Sequence, residues 1–171
     1  MNWTRGFVVV RDLLSGDECD ALAAALPASG SRRGGIRDLL GVAAVRTLLT
    51  SAAVLDIAGD ATPMSATLFD KTPSANWIVS WHQDRTPAAI LAIRLHLDDC
   101  DETNGPLRVI PGSHRAGVVA ESAIRDLIGA SESITLTAKK GAAIVMRPLL
   151  LHASSKATSP AHRRVLHVEF R

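Results

Sequence analysis

The chain of 171 residues has only two cysteines, Cys19 and Cys100, with no spacing that suggests a disulfide framework or a zinc knuckle. Two reduced thiols in a cytosolic protein are the expectation. It has no run of Lys or Arg either. The net charge is +2 and the basic pairs Arg32/Arg33 and Arg163/Arg164 are isolated, which is little ground for a nucleic-acid or membrane-surface partner. A membrane span of ~20 apolar residues is missing, because residues 39–58 are interrupted by Arg46 and by polar side chains. The apolar residues 7–10 are too few for the core of a signal peptide and run directly into Arg11 and Asp12. There is no internal repeat and no low-complexity segment. These absences leave a soluble cytoplasmic protein as the expectation.

What is present is a globular pattern. Hydrophobic residues make up 47% and charged residues 21%, enough apolar material for one domain with its own core over residues 1–171. Residues 6–10 read as a short strand. Ser15 with Glu18 three positions later is a capping-box signature, which predicts a helix over 16–26 ended by Pro27. Residues 28–35 read as loop, and apolar spacing predicts a second helical region from 36 to about 58. From about residue 61 the pattern changes to short strands: 65–69, 77–83, 90–97, 107–110, 133–137, 141–146 and 164–170, with a short helix over 121–129. Helices followed by strands, without βαβ alternation, predict an α+β, mainly β fold built as an antiparallel sandwich or barrel.

Chemistry concentrates around residues 76–84. His82 and Asp84 are two apart, a spacing that on a strand sends both side chains to one face. Two imidazoles and a carboxylate make a facial metal site, and His152, after the apolar residues 149–151 where a strand would reach a loop, can supply the second imidazole. Counting by twos puts Arg163, Val165, His167 and Glu169 on one face of the last strand. The same count puts Arg94 and His96 opposite Leu91, Ile93, Leu95 and Leu97. Polar faces of this kind predict a polar cavity inside a barrel, with the apolar faces under outer helices.

These pieces, in order, resemble the phytanoyl-CoA dioxygenase family of Fe(II)- and 2-oxoglutarate-dependent oxygenases, which includes ectoine hydroxylases. The resemblance rests on Trp81, His82, Gln83 and Asp84; on Leu97, Asp98 and Asp99 leading to Asn104, Gly105, Pro106 and Leu107; on Ile110, Pro111, Gly112, Ser113 and His114; on His152, Ala153 and Ser154; and on Arg163. It implies a double-stranded β-helix (jelly roll) over about 61–171 with helices from the first 60 residues packed outside. It implies His82, Asp84 and His152 as catalytic iron ligands, Arg163 on the distal carboxylate of 2-oxoglutarate, and O2 as co-reactant with ascorbate as a supporting reductant. The implied reaction hydroxylates a small-molecule C–H bond while 2-oxoglutarate becomes succinate and CO2. Related halogenases carry a small residue in place of the carboxylate, so Asp84 points to hydroxylation. Lys71, Asn76, Trp81, Gln83 and Ser154 or Ser155 are candidates for contact with cosubstrate or substrate. The five residues between Asp84 and Ile90 are fewer than many relatives have in the connection that covers the substrate.

Several of these residues have plainer readings. Lys71 is by default a surface lysine, Trp77 and Trp81 are core aromatics, and His162 is a surface residue. His114 would fix its turn by hydrogen bonding, and Asp98, Asp99, Asp101 and Glu102 would form a solvated turn holding backbone N–H groups. Arg94 and His96 either line the cavity, where Arg94 suits an anionic substrate, or form an internal ion pair. Two rival functions use the same His/Asp/His set: a catalytically silent metal-binding jelly roll, and a zinc hydrolase.

Overall fold

The computed structural model describes residues 3–28, 34–86 and 88–171. The Arg32/Arg33 pair, most of the 28–35 loop and Pro87 lie outside the described residues. In chain order the first elements are β1 (Phe7–Val10), α1 (Gly16–Ala25), α2 (Ala43–Leu49), α3 (Ala52–Ala58), β2 (Pro63–Lys71) and β3 (Val79–His82). They are followed by β4 (Leu91–His96), β5 (Leu107–Val109), α4 (Glu121–Gly129), β6 (Ile134–Leu136), β7 (Ala143–Met146), β8 (His152–Ser154) and β9 (Arg163–Phe170). Two antiparallel sheets result, one in the order β1-β7-β4-β9-β2 and one in the order β3-β8-β5-β6. This is a jelly roll. Among the described residues no helix is long and apolar enough to cross a membrane.

Local sequence explains the helices. Ser15 Oγ accepts from the Glu18 N–H at 3.3 Å while the Glu18 carboxylate accepts from the Ser15 N–H at 2.8 Å, so two free donors at the start of α1 are satisfied reciprocally. The apolar spacing over 36–58 does not give one helix. Ile36 exchanges both backbone hydrogen bonds with Leu68 of β2, and a 3₁₀ turn over Leu39–Gly41 precedes α2. Ser51 then restarts the chain as α3, its hydroxyl accepting from the Val54 N–H at 3.4 Å.

The outer face of the five-stranded sheet packs under these helices. Ile93, Leu95, Leu166 and Val168 meet Leu22, Val45, Leu49 and Val54 in one buried cluster, each such side chain contributing about 1.5–3 kcal/mol on burial. The alternation of β4 and β9 sends Arg94, Arg163 and His167 to the opposite face, between the sheets. At the other end of that same space Phe7, Ile144, Met146, Leu107, Val109 and Leu150 form a purely apolar cluster.

Two turns depart from expectation. Residues 149–151 are not a strand leading to His152. Leu149 takes φ 63° in a turn closed by the Leu150 N–H on the Arg147 carbonyl at 3.4 Å, and β8 begins at His152 itself. The turn before His114 is fixed by Ser113, whose hydroxyl accepts from the Leu151 N–H at 2.8 Å. His114 Nδ1 is buried with no partner among the described residues. The acidic segment does hold backbone donors: Asp98 accepts from the Arg164 N–H, Asp99 from that of Lys140 and Asp101 from that of Thr103.

Candidate active site

His82 at the end of β3 and His152 at the start of β8 are direct partners across the antiparallel pair. Asp84 lies two residues beyond the end of β3 rather than on it, yet its carboxylate reaches both rings. His82 Nε2 is 3.4 Å from Oδ1 and His152 Nε2 is 3.5 Å from Oδ2. One ligand atom from each residue lies within 4.8 Å of the other two. A six-coordinate ion with bonds of about 2.1 Å separates neighbouring ligand atoms by ~3 Å, so the three donors fit one face of such an ion.

The rings are also presented in the right orientation. Nδ1 of His82 lies 2.8 Å from the Ser80 carbonyl and Nδ1 of His152 lies 2.9 Å from that of Leu150. A carbonyl only accepts, so each Nδ1 carries a proton, and each Nε2 faces Asp84 as the atom that a metal would take once it is free of its own proton. Burial would raise the Asp84 carboxyl, but the hydrogen bond from His82 and the charges of His152 and His167 outweigh it and hold the group below the usual carboxylate range. Burial lowers His152 to about 4 against the pull of Asp84. The set is therefore a carboxylate and at least one neutral imidazole at neutral pH, the protonation states a metal needs.

These residues open onto a cavity of about 310 Å³. At one end stands Arg163, 2% exposed, its Nε without a partner among the described residues. Lys71 is its direct partner across β2 and β9. The default surface lysine is not found: Lys71 is 0% exposed. Its ammonium donates to Ser154 Oγ at 3.1 Å and to the Ser155 carbonyl, and it sits over the Trp77 ring at 5.6 Å. Gly105, at φ 77°, makes room for it, since a Cβ there would lie 2.6 Å from the Ser155 carbonyl oxygen and 3.0 Å from Lys71 Nζ. Burial first, then the charge of Arg163, lowers Lys71 to about 7.

Other candidates are placed elsewhere. Trp81, next to His82 and so on the other face of β3, packs against the cluster of Ile110, Val119, Ile124 and Leu151 with Arg108 over its ring at 5.4 Å. Gln83 spends its amide on the carbonyls of Gly117 and Leu149 and on the Val119 N–H. Asn76 closes a two-way bond with the backbone of Ala157. Both amides are structural clamps. His96 shares a face with Arg94 but is not part of the cavity wall. It is buried, neither ring nitrogen has a partner among the described residues, and burial followed by the charges of Arg163 and Arg94 lowers it to about 3. No carboxylate lies within ion-pair distance of Arg94 among the described residues, so the internal ion pair is not formed. His162 is exposed, as expected, with Nδ1 3.3 Å from Asp70.

The wall also holds residues not singled out from the sequence: Thr67, Phe69 and Thr86. Counting β2 by twos gives Ser65, Thr67, Phe69 and Lys71 on one face, a signal that was available. Thr86 donates to Glu169 at 2.5 Å and Ser65 to the other oxygen of Glu169 at 2.6 Å, which ties the connection after Asp84 to β9.

Similar proteins share this arrangement of sheets. The structure of AviO1 from Streptomyces viridochromogenes Tue57 superposes with a TM-score of 0.81 over 98% of this chain and 90% of that one, at 22% identity. The structure of EctD from S. alaskensis with 2-oxoglutarate and 5-hydroxyectoine gives a TM-score of 0.79 over 98% of this chain and 72% of that one, at 25% identity. The L-proline trans-4-hydroxylase of Streptomyces griseoviridis is 31% identical over 126 residues, covering 53% of this chain and 47% of the relative. The chain spans about half the length, or less, of the curated relatives it matches. The family model for phytanoyl-CoA dioxygenase matches residues 37–165, most of the sequence, and the chain belongs to the phytanoyl-CoA dioxygenase family.

Proposed function

We propose that this protein is a non-haem Fe(II)- and 2-oxoglutarate-dependent dioxygenase that hydroxylates a C–H bond of a small molecule and releases succinate and CO2. The observation that carries the reading is the pairing, within one cavity, of a His/Asp/His donor set with a buried cationic end. His82, Asp84 and His152 would hold the iron by three donors on one side, leaving the other side open. When bound, the metal supplies a site where the keto acid and O2 meet and O2 becomes reactive. Arg163 offers a planar fork for the distal carboxylate of 2-oxoglutarate, and Lys71 brings a second donor to the same end. Ser154, held by Lys71, is a further candidate contact. The names of similar proteins, a proline hydroxylase and a structure carrying 2-oxoglutarate and 5-hydroxyectoine, support this assignment.

Anaerobic titration of the Fe(II)-loaded protein with 2-oxoglutarate tests it. A weak visible charge-transfer band is expected to develop, to vanish in Asp84→Ala or His152→Ala, and to need higher 2-oxoglutarate in Arg163→Ala. Admission of O2 is then expected to yield succinate. Iron-loaded protein that gives no band would sink the oxygenase reading and leave the zinc hydrolase and the silent metal-binding protein.

A further inference from the structure

The inner face of the five-stranded sheet is a ladder of side-chain rows running along the cavity. The row that pairs Lys71 with Arg163 marks one end. Two same-face steps along β9, about 13 Å of strand, lead to a row that crosses three strands: Thr67 on β2, His167 on β9 and Arg94 on β4. Thr67, His167 and Arg94 all line the cavity, and the first row already provides what the distal carboxylate of the cosubstrate requires.

Arg94 is 8% exposed. Burial first, then the charge of Arg163, lowers it to about 10, so it is a cation at neutral pH. Its guanidinium lies 3.3 Å from His167 Nδ1 and 5.4 Å from the centre of the Phe69 ring. Among the described residues it has no other hydrogen-bond partner and no carboxylate. A buried, unpaired guanidinium is costly to the fold unless a ligand completes it. His167 adds to the same demand. Arginine only donates, so Nδ1 of His167 must accept, and burial followed by the charge of Arg94 lowers this ring to about 3. The neutral ring therefore carries its proton on Nε2, which has no partner among the described residues. The row presents N–H donors from the Arg94 guanidinium and the His167 imidazole, and its one hydroxyl, Thr67, can donate as well.

The pairing of charges in the cavity points the same way. On the oxygenase reading Asp84 faces the metal, and Arg163 with Lys71 faces the distal carboxylate of 2-oxoglutarate. Glu169 brings a negative charge to the wall, but its two oxygens accept from the hydroxyls of Ser65 and Thr86 and it forms no ion pair with Arg94. Arg94 is thus the cavity guanidinium that faces no carboxylate among the described residues and has no partner on the cosubstrate.

We propose that Arg94, with His167 beside it, is the anchor for a carboxylate on the primary substrate, and that the substrate class is small carboxylic acids. The inference rests on the oxygenase reading and adds the identity of the group the cavity recognises. A cavity of about 310 Å³, shared with the cosubstrate, limits such an acid to a few carbons. The bidentate fork of arginine matches a carboxylate and rejects its amide, which presents one acceptor and no charge.

The test uses Zn(II)-loaded protein saturated with 2-oxoglutarate and a series of straight-chain acids from butanoate to heptanoate, each compared with its own primary amide. Binding is read by ligand-observed NMR and 2-oxoglutarate affinity by calorimetry. At least one acid is expected to bind tenfold or more tightly than its amide, with the preference lost in Arg94→Met and partly kept in Arg94→Lys. The 2-oxoglutarate affinity is expected to change less than threefold in both variants. Acids and amides that bind alike in the unsubstituted protein would overturn the proposal. A tenfold loss of 2-oxoglutarate affinity in Arg94→Met would overturn it too, by making Arg94 a cosubstrate residue. Failure of 2-oxoglutarate to bind the unsubstituted metal-loaded protein would overturn the oxygenase reading itself and this inference with it.

Discussion

The space between the two sheets is filled in opposite ways at its two ends. Toward β1 and β7 it is occupied by Phe7, Ile144, Met146 and Leu150, packed against Leu107, Val109 and Leu136. Toward β9 and β2 it is left open and lined by Arg94, Arg163 and His167 on one sheet and by His82 and His152 on the other. Both ends use the same antiparallel ladder, and β4 belongs to both: Arg94 is in register with Ile144 on one side and with His167 on the other. The apolar end is where the fold gains free energy by burial. The polar end buries the guanidinium cations of Arg94 and Arg163 and the amine of Lys71, which offer the ligand-free protein little stabilisation. Stability and ligand recognition are thus divided along one sheet, within a few residues of each other.

That division can be broken experimentally. The largest effect is expected from Asp84→Ala, which removes the anion joining the two histidines. Iron affinity, read by chelator competition, should fall by more than the roughly 10–100-fold that follows loss of an outer partner of a ligand. Next comes a matched pair of substitutions. Ile144→Ala is expected to lower the unfolding free energy by about 2–5 kcal/mol, whereas Arg163→Met in the ligand-free protein should be neutral or stabilising, since a buried, incompletely hydrogen-bonded charge is replaced by an apolar side chain. Urea unfolding of the two variants side by side measures the contrast. The same loss of Arg163 should weaken 2-oxoglutarate binding by about 2–5 kcal/mol. A pair of variants with equal effects on stability would show that the two ends are not energetically distinct.

Lys71 provides a pH-dependent version of the comparison. With its pKa lowered to about 7 by burial and by Arg163, the amine of the ligand-free protein is mostly neutral above that pH. A bound carboxylate favours the cation, so binding takes up a proton there. The 2-oxoglutarate affinity should be flat just below pH 7 and fall above it, by at most about tenfold per pH unit. Calorimetry in buffers of different ionisation enthalpy measures the proton uptake, and Lys71→Met should abolish it. For stability the sign is opposite: between about pH 7 and 10 the unfolded chain binds more protons than the folded one, so this residue's contribution rises with pH over that window and is lowest below it. The smallest effect belongs to neither end. Ser15→Ala removes the cap of α1 and should cost about 1 kcal/mol in urea unfolding, with no change in ligand binding.

Much of this was legible in the sequence because strand periodicity is a local property. Alternation alone assigns Arg94, Arg163 and His167 to one face and Ile93, Leu95, Leu166 and Val168 to the other. The spacing of His82 and Asp84 anticipates their convergence, although β3 ends at His82 and Asp84 reaches the site from the connection. Alternation also separates Trp81 from His82, which is why the tryptophan packs against Val119 and Ile124 and not on the cavity wall. What could not be read locally depends on partners distant in the chain. Lys71 is buried because β2 pairs with β9 and because the backbone at Gly105 and Ser155 surrounds it. The break between α2 and α3 is hidden by apolar spacing that continues through it. The duty of Ser113 rather than His114 in fixing the turn follows from the approach of Leu151.

The direct pairing of His82 with His152 has a mechanical consequence. Their ring centres are 4.2 Å apart because the two residues face each other across β3 and β8, just past a register shift between Val79 and His82, so two of the three donors are gauged by the backbone pairing itself. Loops at the mouth can differ in length and composition without disturbing that gauge, and only the third donor, Asp84, hangs from a connection. Access and coordination are therefore separable variables in this architecture: one can be redrawn by changing the segments after Asp84 and around Gly117, while the other stays calibrated by the sheet.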